Sequence, residues 1–106
     1  MTDDATMAER LEALVAAAPA ERAEANGIVT WSIAGRPFAV LAGTAVELRL
    51  DRAVAHAATR TPDTSPSHRG EDWVRFEPAA LDGHAIDRLE AWFALARRRA
   101  ADPKVN

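Results

Sequence analysis

Val46, Leu48 and Leu50 alternate with Glu47, Arg49 and Asp51. A period of two with one apolar face suits a half-buried strand and no helix. Val29, Trp31 and Ile33 alternate with Thr30 and Ser32 in the same way. Gly35-Arg36 supplies a reversal between them, Pro37 opens a strand through Phe38-Ala39-Val40-Leu41, and Gly43-Thr44 supplies the second reversal. These segments predict a three-stranded antiparallel meander.

The rest of the chain changes period. Asp82 is placed to cap a helix over residues 82–101, with Ile86, Leu89, Trp92, Phe93 and Ala96 as its buried stripe and Arg97, Arg98 and Arg99 complementing its C-terminal dipole. Thr6 and Glu9 have the spacing of a capping box, so a first helix begins there; Leu11, Leu14, Val15 and Ala18 face inward until Pro19 ends it. Residues 20–25 continue as a further turn of helix before Asn26-Gly27 breaks the chain. Asp51 caps a short helix over Arg52 to Thr59, with Ala53, Val54, Ala57 and Ala58 inward. Trp73-Val74-Arg75-Phe76 form a fourth strand that Pro78 interrupts. The fold class is therefore α+β: an N-terminal helix, a three-stranded antiparallel meander, a short helix, a fourth strand and a long C-terminal helix packed on the sheet.

With 106 residues the chain fits one domain, 1–106, with 1–5 and 102–106 frayed. Its core is modest, because 25 of the 51 hydrophobic residues are alanine. Cysteine is absent, which removes disulfides, thiolate chemistry and sulfur-ligated zinc. Met1-Thr2-Asp3-Asp4 is acidic where a secretory signal is basic, and no apolar run suits a bilayer, so the expected location is cytoplasmic with no membrane partner. Thirteen basic against sixteen acidic residues make a poor whole-surface match to phosphates, so any anion site has to be a local cluster.

The segment Thr61 to Asp72 gathers the unusual chemistry. Two prolines stiffen it, Gly70 lets it turn, and His68 sets a titratable ring beside the permanent charge of Arg69. Together they can bind a phosphate or carboxylate, or they are an exposed loop tip. Arg36, Arg49 and Arg75 lie in or beside strands; they form a basic sheet face, or they pair with Glu47, Glu77 or Asp51 as solvated cross-strand charges. Ser65 and Ser67 near His68 lack the glycine-flanked elbow of a nucleophile. His56, His68 and His84 lack metal-ligand spacing, and no glycine pattern cradles a phosphate, so no metal and no cofactor is expected.

The order of elements, with Trp31-Ser32-Ile33-Ala34-Gly35-Arg36-Pro37-Phe38-Ala39-Val40, Val46-Glu47-Leu48-Arg49-Leu50 and the loop Ser65-Pro66-Ser67-His68-Arg69-Gly70-Glu71-Asp72-Trp73, resembles the MmcQ/YjbR-like family. The resemblance implies a small α+β fold and, because DNA binding has been proposed for some members, a nucleic-acid contact. The expected function is a non-enzymatic binding or interaction module, engaging nucleic acid or another anionic partner through Arg36, His68, Arg69 and Arg75. Two alternatives stand beside it: a small ligand-binding protein or enzyme using the His68 loop, and a structural subunit that homodimerises through a sheet edge; the chain is expected to be a monomer or a homodimer.

Overall fold

Thr6 and Glu9 satisfy each other's backbone donors as their spacing predicts: the Thr6 hydroxyl accepts from the Glu9 N–H at 3.1 Å, and the Glu9 carboxylate accepts from the Thr6 N–H at 2.8 Å. They open α1 (Met7–Ala17), which buries Met7 and Leu11. The structure, a computed structural model, describes residues 6–102. The expectation of frayed ends at 1–5 and 103–106 lies outside the described residues, whereas Asp102 is placed and caps the last helix.

Residues 20–25 are not a turn of helix. Glu21–Ala25 form a strand, β1, paired antiparallel with β2 (Ile28–Ile33). Asn26 and Gly27 stand at φ 55° and 78°, the two successive positive values that a two-residue hairpin turn requires. The turn and the ladder override the helical preference of Glu and Ala. The next reversal is made by Ala34 and Gly35, also both at positive φ, one residue earlier than the sequence suggests. Then follow β3 (Arg36–Ala42) and β4 (Ala45–Arg49), so the meander has four strands rather than three.

Asp51 caps α2 (Arg52–Ala58) by accepting from the Ala53 N–H at 3.0 Å. After it come a short strand β5 (Thr64–Pro66), which the sequence did not announce, and β6 (Trp73–Phe76). One antiparallel sheet results, in the order β1-β2-β3-β4-β6-β5. Asp82 caps α3 (Gly83–Ala101) through the Ala85 N–H at 2.9 Å.

The core lies between one sheet face and the helices. Trp31, Phe38, Leu48, Val74, Phe76 and Leu89 are fully buried there. Phe93 of α3 meets Phe38 of β3 edge to face at 5.4 Å, and Trp92 meets Phe76 at the same distance. The buried stripe of α3 is Ala85, Leu89, Phe93, Ala96 and Ala100; Ile86 and Trp92 sit at its margin, only partly covered. In α2 the covered residues are Ala55 and Ala58, while Ala53, Val54 and Ala57 are exposed, because this helix lies across β5 and β6 by one narrow ridge of small residues.

Two arginines tie helix ends to other elements. Arg97 of α3 donates to the carbonyls of Ala18 and Pro19 at 3.1 and 2.9 Å, where α1 ends. It thus serves the dipole of α1, not that of its own helix. Arg36 of β3 donates through Nε to the Ala100 carbonyl at 2.7 Å and closes the C-terminus of α3.

Candidate functional site

The segment between β5 and β6 is pinned by its own backbone. Ser67 is buried and its hydroxyl accepts from the Arg69 N–H at 3.1 Å; the Gly70 carbonyl accepts from the Trp73 N–H at 3.2 Å. Gly70 has φ 155°, and a Cβ there would lie 3.1 Å from the Asp72 carboxylate and 3.4 Å from the Trp73 ring. The backbone conformation is what favours glycine here, and the Asp72 carboxylate would have to give way slightly to any side chain.

The four anion-contact candidates fall in three different settings. Arg69 folds back over the outer sheet face and forms an ion pair with Glu47, whose side chain is only 4% exposed. Its guanidinium also stands 5.8 Å from the centre of the Trp73 ring, a cation–π distance. Arg75 is the cross-strand neighbour of Glu47 and pairs with Glu77 at 2.8 Å. Arg36 is taken up by the end of α3. His68 is exposed and makes no side-chain hydrogen bond among the described residues. Arg69 therefore holds Glu47, Arg75 on the neighbouring strand holds Glu77, and Arg36 and His68 stand apart from them. Arg49, the remaining member of the expected basic face, is held by Asp72 at 2.7 Å rather than by Glu47 or Asp51.

Asp72 gathers Arg49 and, at 3.5 Å, Arg99 of α3. Burial pushes its carboxyl up, but the Arg49 hydrogen bond and the charges of Arg49 and Arg99 outweigh that and hold it below the ordinary 3.8. A group whose folded pKa is lowered contributes stability above its unfolded pKa and loses it as pH falls through the folded value. Unfolding free energy is therefore expected to drop below about pH 4. In Asp72→Asn this acid limb should be flatter, and chemical denaturation measured at several pH values checks it; an unchanged slope would remove Asp72 from the account. Glu77 is lowered in the same sense by hydrogen bonds from Thr44 and Arg75, and its exposure leaves it the smaller share.

The open chemistry lies behind the loop. A cleft of about 850 Å³ separates α2 from the Pro66–Trp73 wall. Ala53, His56 and Thr59 line it on the helix side, Pro66, Gly70 and Trp73 on the other. Arg52 and Glu71 form an exposed ion pair at its mouth. Trp73 is only partly buried, so its ring offers surface to the cleft. His68 is not among the lining residues, and His56 is. Sequence reasoning weighed His56 only as an isolated metal ligand; nothing in its neighbourhood along the chain marks it, since the cleft exists only once α2 lies across β5 and β6. Among the described residues no group of three or more His, Asp or Glu is placed to hold a metal ion. No helix among them is long and apolar enough to cross a membrane.

No family model, curated protein or solved structure matches the chain.

Proposed function

We propose that the protein is a binding module whose ligand occupies the cleft between α2 and the Pro66–Trp73 loop. The observation that carries this reading is that the part-buried Trp73 and the exposed His56 line one cleft of about 850 Å³, beside a loop bonded to itself through Ser67 and turned at Gly70. A concave, mostly apolar site with a few convergent polar groups is the usual form of a small-molecule site. Its walls of alanine, proline and indole suit a planar or partly apolar molecule, and the Arg52 and Glu71 charges at the mouth suit a polar substituent. Binding is preferred to catalysis because His56 has no carboxylate hydrogen-bonded to it among the described residues, so no base is oriented. An anionic partner is less well supported: Arg36, Arg69 and Arg75 already have acceptors, and a phosphate would have to displace them.

The reading is tested with a set of small aromatic and heteroaromatic compounds by ligand-observed NMR. Some are expected to bind with dissociation constants at or below about 1 mM. Ala53→Trp, at an exposed α2 position lining the cleft, fills the space and should weaken them about tenfold or more while the fold persists. Equal binding to the wild type and to Ala53→Trp would overturn the assignment.

A further inference from the structure

The sheet has two edges among the described residues, and they differ in what they offer a partner strand. β5 is three residues long and ends in Pro66, so it offers few donors. β1 has five residues, no proline, and is exposed on both faces. One flank pairs with β2 and the other pairs with nothing among the described residues.

Which groups β1 presents follows from its turn. In a two-residue hairpin the flanking residues, here Ala25 and Ile28, exchange both backbone hydrogen bonds. By alternation Ala23 and Glu21 also turn their N–H and C=O toward β2, and those of Arg22 and Glu24 point to the open edge.

We propose that β1 pairs antiparallel with β1 of a second copy of the chain, in the register that places Ala23 opposite Ala23. Antiparallel bonding requires the outward-facing residues of one strand to meet those of the other. Centring on Arg22 sets arginine against arginine, and centring on Glu24 sets glutamate against glutamate. Centring on Ala23 sets Arg22 against Glu24 of the other copy, twice by symmetry, with the two side chains on the same face. Glu21 meets Ala25, and the smallest side chain of the strand lies on the axis. The strand is thus self-complementary in backbone and in charge. Arg22 already reaches Glu24 of its own strand at 3.2 Å and Glu12 of α1 at 3.1 Å, so pairing exchanges an intrachain glutamate for the other copy's. Pairing joins two sheets through β1 and leaves both clefts at the distant β5–β6 ends.

Sedimentation equilibrium on the full chain, between about 10 µM and 1 mM, should show mass rising toward twice the monomer, as a small interface requires. In a Glu12→Gln background, which removes the α1 partner of Arg22 from the comparison, Arg22→Glu and Glu24→Arg should each weaken the dimer about tenfold or more by setting like charges opposite. The double variant Arg22→Glu/Glu24→Arg restores opposite charges and should return the affinity to within a few-fold. The chain lacks cysteine, so Ala23→Cys reads the register directly. In this pairing its Cα atoms lie about 4.5 Å apart, within reach of a disulfide, whereas those of Ala25→Cys lie roughly 14 Å apart. Oxidation should cross-link the first and spare the second. A monomer throughout the range, which would leave β1 to a different partner strand, overturns the proposal; so does cross-linking of Ala25→Cys as fast as Ala23→Cys, or a charge-swapped variant no tighter than the single reversals.

Discussion

Phe93→Ala should cost about 3–5 kcal/mol, a large share of the stability of a domain this size. Phe93 is 2% exposed and is the only aromatic side chain in the buried stripe of α3, whose other members are one leucine and three alanines. Its ring meets Phe38 at 5.4 Å, and Phe38 is itself wholly buried on β3. Truncation leaves a void between α3 and the middle of the sheet, and the neighbouring alanines are too short to collapse into it. A domain of this size holds about 5–15 kcal/mol in all, so the loss is a sizeable fraction of it. Urea unfolding followed by far-ultraviolet circular dichroism should show a midpoint lower by about 2 M. Phe93→Leu, which keeps most of the volume, should lose about half as much or less. A loss below about 1 kcal/mol for Phe93→Ala would mean that α3 docks by other contacts.

Arg69→Ala is expected to have the second largest effect, about 2–3 kcal/mol. Removing one partner of a buried ion pair typically costs about 3–5 kcal/mol, and the figure is reduced here because the Arg69 side chain is 31% exposed. What remains is the carboxylate of Glu47, 4% exposed on the sheet face opposite the helices, with Arg75 as its nearest cationic neighbour across the strand pair. Arg75 is held by Glu77, so rescue requires breaking that pair. The double variant Glu47→Leu/Arg69→Met removes both charges and should return to within about 1 kcal/mol of the wild type, since replacing a buried pair by apolar groups of similar volume is often neutral. Denaturant midpoints of the two singles and the double form the cycle. Additive losses would show that Arg69 and Glu47 are not coupled.

The legible parts of this fold are those whose exposure differs between faces. The alternation over Val46 to Leu50 and the apolar stripe around Leu89 and Phe93 each report a buried face, and β4 and α3 stand where those patterns put them. β1 has no buried face, so Glu21 to Ala25 carry no alternation; Asn26-Gly27, taken with the strand after it, was the one available sign of a hairpin. The Pro66–Trp73 loop was legible as unusual because proline fixes φ and glycine opens the positive-φ region to the chain. Its partners were not. Glu47 and Arg69 are 22 positions apart, Arg49 and Asp72 are 23, and no periodicity links them. The cleft was equally hidden, because His56 and Trp73 come together only through packing of α2 on the sheet's far edge.

Arg36 and Arg97 grip main-chain oxygens, of Ala100 in one case and of Ala18 and Pro19 in the other. Every residue type carries that oxygen. The acceptor positions are therefore free to drift without loosening the grip, while each arginine is constrained by its reach and its planar donor fork. Across diverging descendants of this chain, these two clamps would persist as lone invariant arginines with no covarying counterpart. Methods that infer proximity from paired substitutions would be blind to both, although they fasten α1 to α3 and α3 to the sheet.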